Sequence, residues 1–361
     1  MEKPTLSIVI PTYNERENIS ILLTKIDNVL KNANIEYEVI VVDDDSPDRT
    51  WEVVLDFSQK GYPTKLLRRL RKKGLGTAII DGIKMAEGDY IVVMDADLQH
   101  PPETIPLLLK KALDSGCDLV VASRYREKGG IKGWNKLRLL ISKIASFLAY
   151  LLIPSSKKTT DPMSGFFLVK RDIVDEVKLE GRSWKILLEI LAKKPGLKVE
   201  EIPYVFGARH RGKSKLGYKA ITSYIFDLLR LSNYRILKFA SVGASGTIVN
   251  LLSLYILYNY LSLILTISYA LSWEISLTWN YTLHDRITFK GERPRGLTYF
   301  LKYWVKYHSA AFTGFITYMG VSNFLSLVVG LNYMFSGFIG IVLGFLANFL
   351  ISQHHVWAPR S

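Results

Sequence analysis

One cysteine, Cys117, occurs in 361 residues. An internal disulfide and a cysteine zinc site are therefore both impossible, and a disulfide-stapled secreted domain is excluded. Charge is missing too, but only in places. No Asp, Glu, Lys or Arg occurs over the 35 residues from Phe239 to Trp273, or over the 53 from Tyr307 to Pro359. Each interval is long enough for two membrane spans of about 20 residues. Also absent is the Gly-X-X-X-X-Gly-Lys-Ser/Thr loop of nucleotide hydrolases, and Lys73-Gly74-Leu75-Gly76 is too short to be a dinucleotide fingerprint. Nicotinamide chemistry and P-loop hydrolysis lose support. No charged segment with a following apolar run and cleavage site precedes the strand-like Thr5–Ile10, so the amino-terminal part is expected not to be exported.

What charge there is divides near residue 235. The net +14 splits into +9 over 1–235 and +5 over 236–361, and a mean hydropathy of +0.13 is too apolar for an ordinary soluble enzyme of this size. The positive excess suits nucleic acid, anionic lipid or a phosphate substrate. No stacking platform or recognised nucleic-acid motif is present, so nucleic acid is not an expected partner. The apolar intervals predict four transmembrane helices, roughly 237–257, 263–283, 308–329 and 334–354. Arg286, Lys290, Arg293, Arg295, Lys302 and Lys306 crowd the loop between the two pairs, which places that loop and both termini on the cytoplasmic side of a cell membrane. A shift of 68 positions superposes the pairs, carrying Phe239 onto Tyr307, Gly246 onto Gly314 and Asn280-Tyr281 onto Asn348-Phe349. This reads as an internal duplication of one hairpin, packed through small residues. Glu274 falls in mid-span and is expected to face other helices or a polar cavity, with Asn280 or Ser272 as its packing partner.

Over 1–235 apolar runs alternate with helical patterns: strands near 5–10, 37–42, 65–69, 90–94 and 118–122, helices near 15–31, 50–59, 76–86 and 103–115. That alternation predicts a wound α/β sheet, whose ligand lies beyond the carboxyl ends of the strands. Asp95 and Asp97 stand at such an end, at i and i+2, where both can turn to one divalent cation that also takes diphosphate oxygens. Asp43-Asp44-Asp45-Ser46-Pro47-Asp48 admits two roles, a turn and helix cap before Trp51 or, through Asp44, a contact to base or ribose. Two basic clusters follow, one from Arg124 to Lys143 and one from Arg209 to Lys219. Arginine's planar fork suits phosphate, which favours Arg124 at a strand end and Arg138 on a helix. The helix around Trp134–Ile153 is amphipathic and too short and charged to span, so it is expected to lie in the membrane interface, as is 217–232.

Ile10-Pro11-Thr12-Tyr13-Asn14-Glu15, Val42 to Asp48, Lys73 to Gly76 and Asp95-Ala96-Asp97-Leu98-Gln99-His100-Pro101-Pro102 together resemble the family-two glycosyltransferases of GT-A fold, and more narrowly the dolichyl-phosphate mannose synthases. The likeness spans nearly all of 1–220. It implies a nucleoside site at Pro11, Tyr13, Glu15, Val42, Asp44 and Lys73, and a donor diphosphate on Asp95, Ala96, Asp97 and Gln99. Mg²⁺ or Mn²⁺ would be held by Asp95, Asp97 and Gln99. Ser123-Arg124-Tyr125, Gly129-Gly130, Arg138 and Ser142, with Asp161 to Phe166 and Arg211 to Leu216, resemble the segments that grip a lipid phosphate. The acceptor site implied is thus Arg124, Arg138, Ser142, Arg211 and Lys213, with Asp97, Arg124 and Arg211 closest to the chemistry.

The resulting expectation is a GT-A Rossmann-like catalytic domain at 1–216, an interface helix and linker at 217–235, and an all-α, four-helix transmembrane domain at 236–361 that resembles GtrA-like domains. Its reaction would be inverting mannose transfer from GDP-mannose to a polyprenyl (dolichyl) phosphate at the lipid bilayer. UDP-glucose as donor is the enzymatic alternative, because nothing in Asp44 or Lys73 separates guanine from uracil. A non-catalytic lipid translocator or scaffold is the other, opposed by the intact Asp95, Asp97 and Gln99. Histidine is assigned no part, since a lipid phosphate is already anionic at neutral pH and requires no strong general base.

Overall fold

The computed structural model describes residues 4–71, 74–182, 184–207, 218–292, 294 and 296–357. Two compact units divide the chain, Met1–Ser232 and Asn233–Ser361. The first alternates strand and helix from its start: β1 (Leu6–Thr12), α1 (Arg16–Asn32), β2 (Tyr37–Asp43), α2 (Thr50–Gln59), β3 (Thr64–Arg68), α3 (Leu75–Met85), β4 (Tyr90–Val93), α4 (Ile105–Ser115) and β5 (Leu119–Ser123). There follow β6 (Gly130–Ile131), α5 (Lys136–Leu152), β7 (Phe167–Lys170), α6 (Arg171–Glu176), α7 (Ile186–Lys193), β8 (Val199–Pro203), β9 (Val205–Phe206) and α8 (Tyr218–Leu231). Seven strands form one sheet in the order β3-β2-β1-β4-β7-β5-β8, parallel except for β7, and β6 pairs with β9.

Every residue of β1 is buried, as a central strand covered on both faces requires. Successive side chains divide between the faces. Ile8 and Ile10 join Val41, Val92 and Val120 against Ile19, Leu22 and Ile26 of α1 and Leu108 of α4. Val9 joins Ile40, Val42 and Val93 against Ile79, Ile80 and Ile83 of α3 and Leu187 and Ile190 of α7. α3 comes close to the sheet at Gly82, where a Cβ would stand 3.0 Å from Cγ2 of Val42. The strands and helices through residue 123 fall where the apolar patterns predict them. The pattern does not predict β7, because four residues are too few to show a period.

The second unit consists of α9 (Arg235–Asn259), α10 (Leu265–Leu283), α11 (Leu297–Asn323) and α12 (Tyr333–Ile351). Three helical stretches among the described residues, Arg235–Asn259, Leu297–Val328 and Phe338–Val356, are long and apolar enough to cross a membrane. Four were expected. The shortfall is α10, whose 19 residues include Ser268, Ser272, Glu274, Ser276 and Asn280. The third helix starts at Leu297 rather than near 308, because helix formation extends through the charged Lys302 and Lys306 that bound the apolar run.

The 68-residue shift is visible in the packing. Asn280 faces Gly246 so closely that a Cβ would collide with its amide, and Gly314 meets Asn348 in the same way, 2.9 Å from its Cβ. Ser276 Oγ donates to the Gly246 carbonyl at 2.7 Å, and its counterpart Gly344 lies against the carbonyl of Gly314. Phe239 packs on Phe349 and Tyr307 on Tyr281, at centroid distances of 5.4 and 5.9 Å. Each hairpin closes with a π-helical turn, His284–Thr288 and Ser352–Val356, and the next residues, Phe289 and Trp357, stack on each other at 4.5 Å. Glu274 turns to His308 of α11, whose Nε2 lies 3.0 Å from Oε1, rather than to Asn280 or Ser272. Six and two residues away along the helix, those two side chains lie on other faces.

Candidate active site

Four strand ends and the helices α5 and α8 line a cavity of about 1490 Å³. Pro11, Tyr13 and Glu15 line it from the end of β1, Asp44 from β2, and Asp95, Ala96, Asp97 and Gln99 from β4. Arg124 enters from β5, and Trp134, Arg138, Ile141, Ser142, Ile144 and Leu148 from α5 and the residues before it. Ile221, Tyr224 and Ile225 of α8 complete the apolar part, and Tyr224 ties the two helices by donating to the Ala145 carbonyl at 2.6 Å. Eleven of the residues expected in the site are thus brought together. Val42 is not among the lining residues: strand alternation aims its fully buried side chain at Gly82. Lys73, Arg211 and Lys213 lie outside the described residues.

The acidic cluster after β2 divides its labour. Asp43 accepts from Thr12 Oγ1 at 2.9 Å, from the Ser46 amide at 2.8 Å and from Ser46 Oγ at 2.6 Å, so it holds the turn. Asp48 accepts the Thr50 amide and hydroxyl at the start of α2, and the Arg16 amide at the start of α1. Both are caps. Asp44 instead faces the cavity, held by Arg69 Nε at 2.7 Å, by Arg69 Nη2, and by the Gly74 amide at 2.8 Å. Arg69, just past β3, was missed by the sequence reading; its place beyond a strand's carboxyl end was the available signal.

At the end of β4, Leu98 adopts a left-handed φ of 61° and the Gln99 amide donates to Asp97 Oδ1 at 3.2 Å. A leucine in that region stores strain, a feature that gathers at functional turns. Gln99 Nε2 donates to the Gly207 carbonyl and the Gly207 amide returns a bond to the Gln99 carbonyl. His100, unassigned from sequence, accepts the Asp95 amide on Nδ1 at 3.0 Å and is walled in by Phe166, stacked at 5.0 Å, with Tyr204 and Phe206 edge-on. Burial pushes this imidazole down to about 4, so near neutrality it is uncharged with its proton on Nε2. Among the described residues no three His, Cys, Asp or Glu side chains gather as a metal cluster. Asp95, Asp97 and the side-chain oxygen of Gln99 all line the cavity, and oxygen donors of this kind suit a hard divalent ion that also takes phosphate oxygens.

Arg124 is buried, and Asp161 accepts from its Nε and Nη2, each at 2.7 Å. Burial opposes the guanidinium charge, and the bonds from Asp161 more than restore it. Its guanidinium carbon lies 5.4 Å from the Trp134 ring centroid and 5.6 Å from that of Phe206, while that of Arg138 lies 4.2 Å from the Trp134 centroid. Ser142 Oγ accepts from Tyr125 Oη at 2.7 Å. On α5, Leu137, Leu140, Ile144 and Phe147 are exposed, as are Ile225 and Phe226 of α8. Lys185, a second residue missed by sequence, also lines the cavity.

A glycosyl transferase family 2 model matches residues 7–178 and a GtrA/DPMS transmembrane-domain model matches 238–357. The chain is 42% identical over 360 residues to a dolichol-phosphate mannosyltransferase of Pyrococcus furiosus, covering 98% of this chain and 99% of that one. It is 34% identical over 264 residues to the dolichol-phosphate mannosyltransferase of Saccharomyces cerevisiae, covering 70% and 94%. Among solved structures, glucosyl-3-phosphoglycerate synthase from Mycobacterium tuberculosis superposes with a TM-score of 0.50 at 20% identity, over 64% of this chain and 80% of that one, which is a likeness of fold.

Proposed function

The chain belongs to the dolichol-phosphate mannosyltransferase family, and from that premise we propose that it transfers mannose from GDP-mannose to a polyprenyl phosphate, releasing GDP and lipid phosphomannose. The observation that carries the reading is the shape of the cavity. It joins a carboxylate-rich strand end, fit for a nucleotide diphosphate, to an apolar channel between α5 and α8 fit for a lipid tail. A soluble acceptor would need no such channel. The exposed apolar faces of α5 and α8 are of the kind that dips into a membrane interface, where a polyprenyl phosphate resides.

In this reading Pro11, Tyr13, Glu15 and Asp44 hold the nucleoside, and Asp95, Asp97 and Gln99 hold Mg²⁺ or Mn²⁺. That cation, when bound, neutralises charge on the departing diphosphate. Arg124, Arg138 and Ser142 hold the acceptor phosphate, joined by Arg211 and Lys213 from the basic segment. An oxygen of that phosphate forms a bond to the anomeric carbon as the bond from that carbon to the GDP oxygen breaks, so an α-linked donor gives a β-linked product. No proton need be removed from the nucleophile, and positioning with charge stabilisation supplies the rate. Lys/Arg crowding between Arg286 and Lys306 supports a cytoplasmic place for that loop and both termini.

The test is transfer of radiolabel from GDP-mannose, and in parallel from UDP-glucose, to a polyprenyl phosphate in detergent with Mn²⁺, followed by lipid extraction. Metal-dependent mannose incorporation is expected. Glucose incorporation alone would overturn the sugar, and incorporation from neither donor by protein that binds nucleotide would overturn the catalytic reading.

A further inference from the structure

Lys185 precedes α7 and extends into the cavity, where its Nζ donates to the Met163 carbonyl at 2.9 Å. Met163 lies between the two halves of the site. Two residues before it, Asp161 grips Arg124; two residues after it, a Cβ on Gly165 would stand 3.4 Å from Asp95 Oδ2. The ammonium is thus anchored to a segment that touches the acceptor arginine two residues on one side and the donor carboxylate two residues on the other, and the charges of Arg124, Asp95 and Asp161 act on it.

Among the described residues, the other cations lining the cavity are differently engaged. Arg124 is held by its bidentate pair with Asp161, Arg138 of α5 lies over Trp134, and Arg16 faces Glu52 and the Asp48 carbonyl. The reaction nevertheless brings two anions, the attacking phosphate and the departing diphosphate, to opposite sides of one carbon. Their repulsion grows as they approach in a site of low dielectric. We propose that Lys185 is a catalytic residue whose ammonium donates to phosphate oxygen at the junction of donor and acceptor, relieving that repulsion as the sugar passes between them. Burial and the neighbouring Arg124 push this amine down to about 8, so it is charged at neutral pH while remaining weakly solvated. The inference rests on the mannosyl-transfer reading above.

The experiment uses K185C in the full-length chain, whose own thiol, Cys117, is fully buried. Turnover of labelled GDP-mannose with polyprenyl phosphate is expected to fall about a hundredfold, the usual effect of removing one electrostatic donor, with a much smaller change in KM for GDP-mannose. Treatment of K185C with 2-bromoethylamine then forms a sulfur–carbon bond at the introduced thiolate as bromide leaves. The product carries an ammonium where lysine had it, and most of the turnover is expected to return. Wild-type turnover in K185C, or failure of aminoethylation to restore it in protein that still binds GDP, would overturn the proposal. If K185C does not melt cooperatively, K185M provides the same test, and near-wild-type turnover there is the overturning result. No transfer by the wild type would overturn the underlying reading and the proposal with it; transfer by wild type and variant alike overturns the proposal alone.

Discussion

In the catalytic unit Arg124 and Asp161 are both buried, joined by two charge-assisted hydrogen bonds, whereas in the membrane unit a close contact of glycine with asparagine occurs twice, Gly246 with Asn280 and Gly314 with Asn348. The first unit shields an asymmetric polar site behind two apolar clusters. The second uses one hairpin twice and closes the copies through paired rings. In water, burial of apolar surface holds a sheet together and leaves polar groups for a site. In lipid that drive is missing, and close backbone approach and internal hydrogen bonds replace it. Chemistry is therefore expected to be lost through single polar residues in one unit, and stability through single small residues in the other.

The sharpest break in that comparison is Asp97→Asn. Transfer to lipid should fall about a thousandfold, as when a principal electrostatic contact to developing charge is removed, while the melting of both units stays within a degree or so. Label counting beside a thermal scan checks it; retained transfer would remove Asp97 from the reaction. Asp161→Ala comes next and moves stability rather than chemistry alone. It leaves the Arg124 guanidinium buried without a counter-charge, at a cost of about 3–5 kcal/mol, read by chemical denaturation of the catalytic unit's signal.

His100 adds a pH dependence to the same unit. Its folded value of about 4 lies below the ordinary 6.5, so between these values the unfolded chain binds the extra proton. Its contribution is present in full above pH 6.5 and is lost as pH falls through 4, a change of about 3 kcal/mol in all. Denaturation midpoints from pH 8 to 4 should show that slope, and His100→Phe should flatten it. An unchanged slope would mean that the imidazole is solvated rather than boxed by Phe166, Tyr204 and Phe206.

Much of this was legible in the chain itself, for identifiable reasons. Strand ends could be read because β1, β2, β4 and β5 are buried runs that stop at Thr12, Asp43, Val93 and Ser123, and the candidate residues follow them directly. Asp43, Asp44 and Asp48 all have the chemistry of both cap and ligand; the family resemblance picked out Asp44, and hydrogen bonds show Asp43 and Asp48 holding the turn and the helix starts. Lys185 carried no signal, as its cavity position depends on the Met163 carbonyl, distant by 22 residues. The duplication was legible through Gly and Asn letters, yet Glu274's partner was not, because His308 belongs to the other hairpin.

The smallest expected effect tests the membrane side of the comparison. Gly246→Val would force a Cβ into the Asn280 amide, and Gly314→Val would press one against the Asn348 side chain and the Gly344 carbonyl. Overpacking of this kind costs about 1–3 kcal/mol. Because the two glycines occupy equivalent places in the repeat, the losses should be alike and should combine almost additively, the sites being in different hairpins. Detergent-resistant melting of the membrane unit gives the readout, with nucleotide binding by the catalytic unit as the internal control. Equal losses would mean that the hairpins are interchangeable packing units. A large loss at one glycine alone would mean that the copies have diverged in what they support, and that the likeness of their sequences outlasts the likeness of their work.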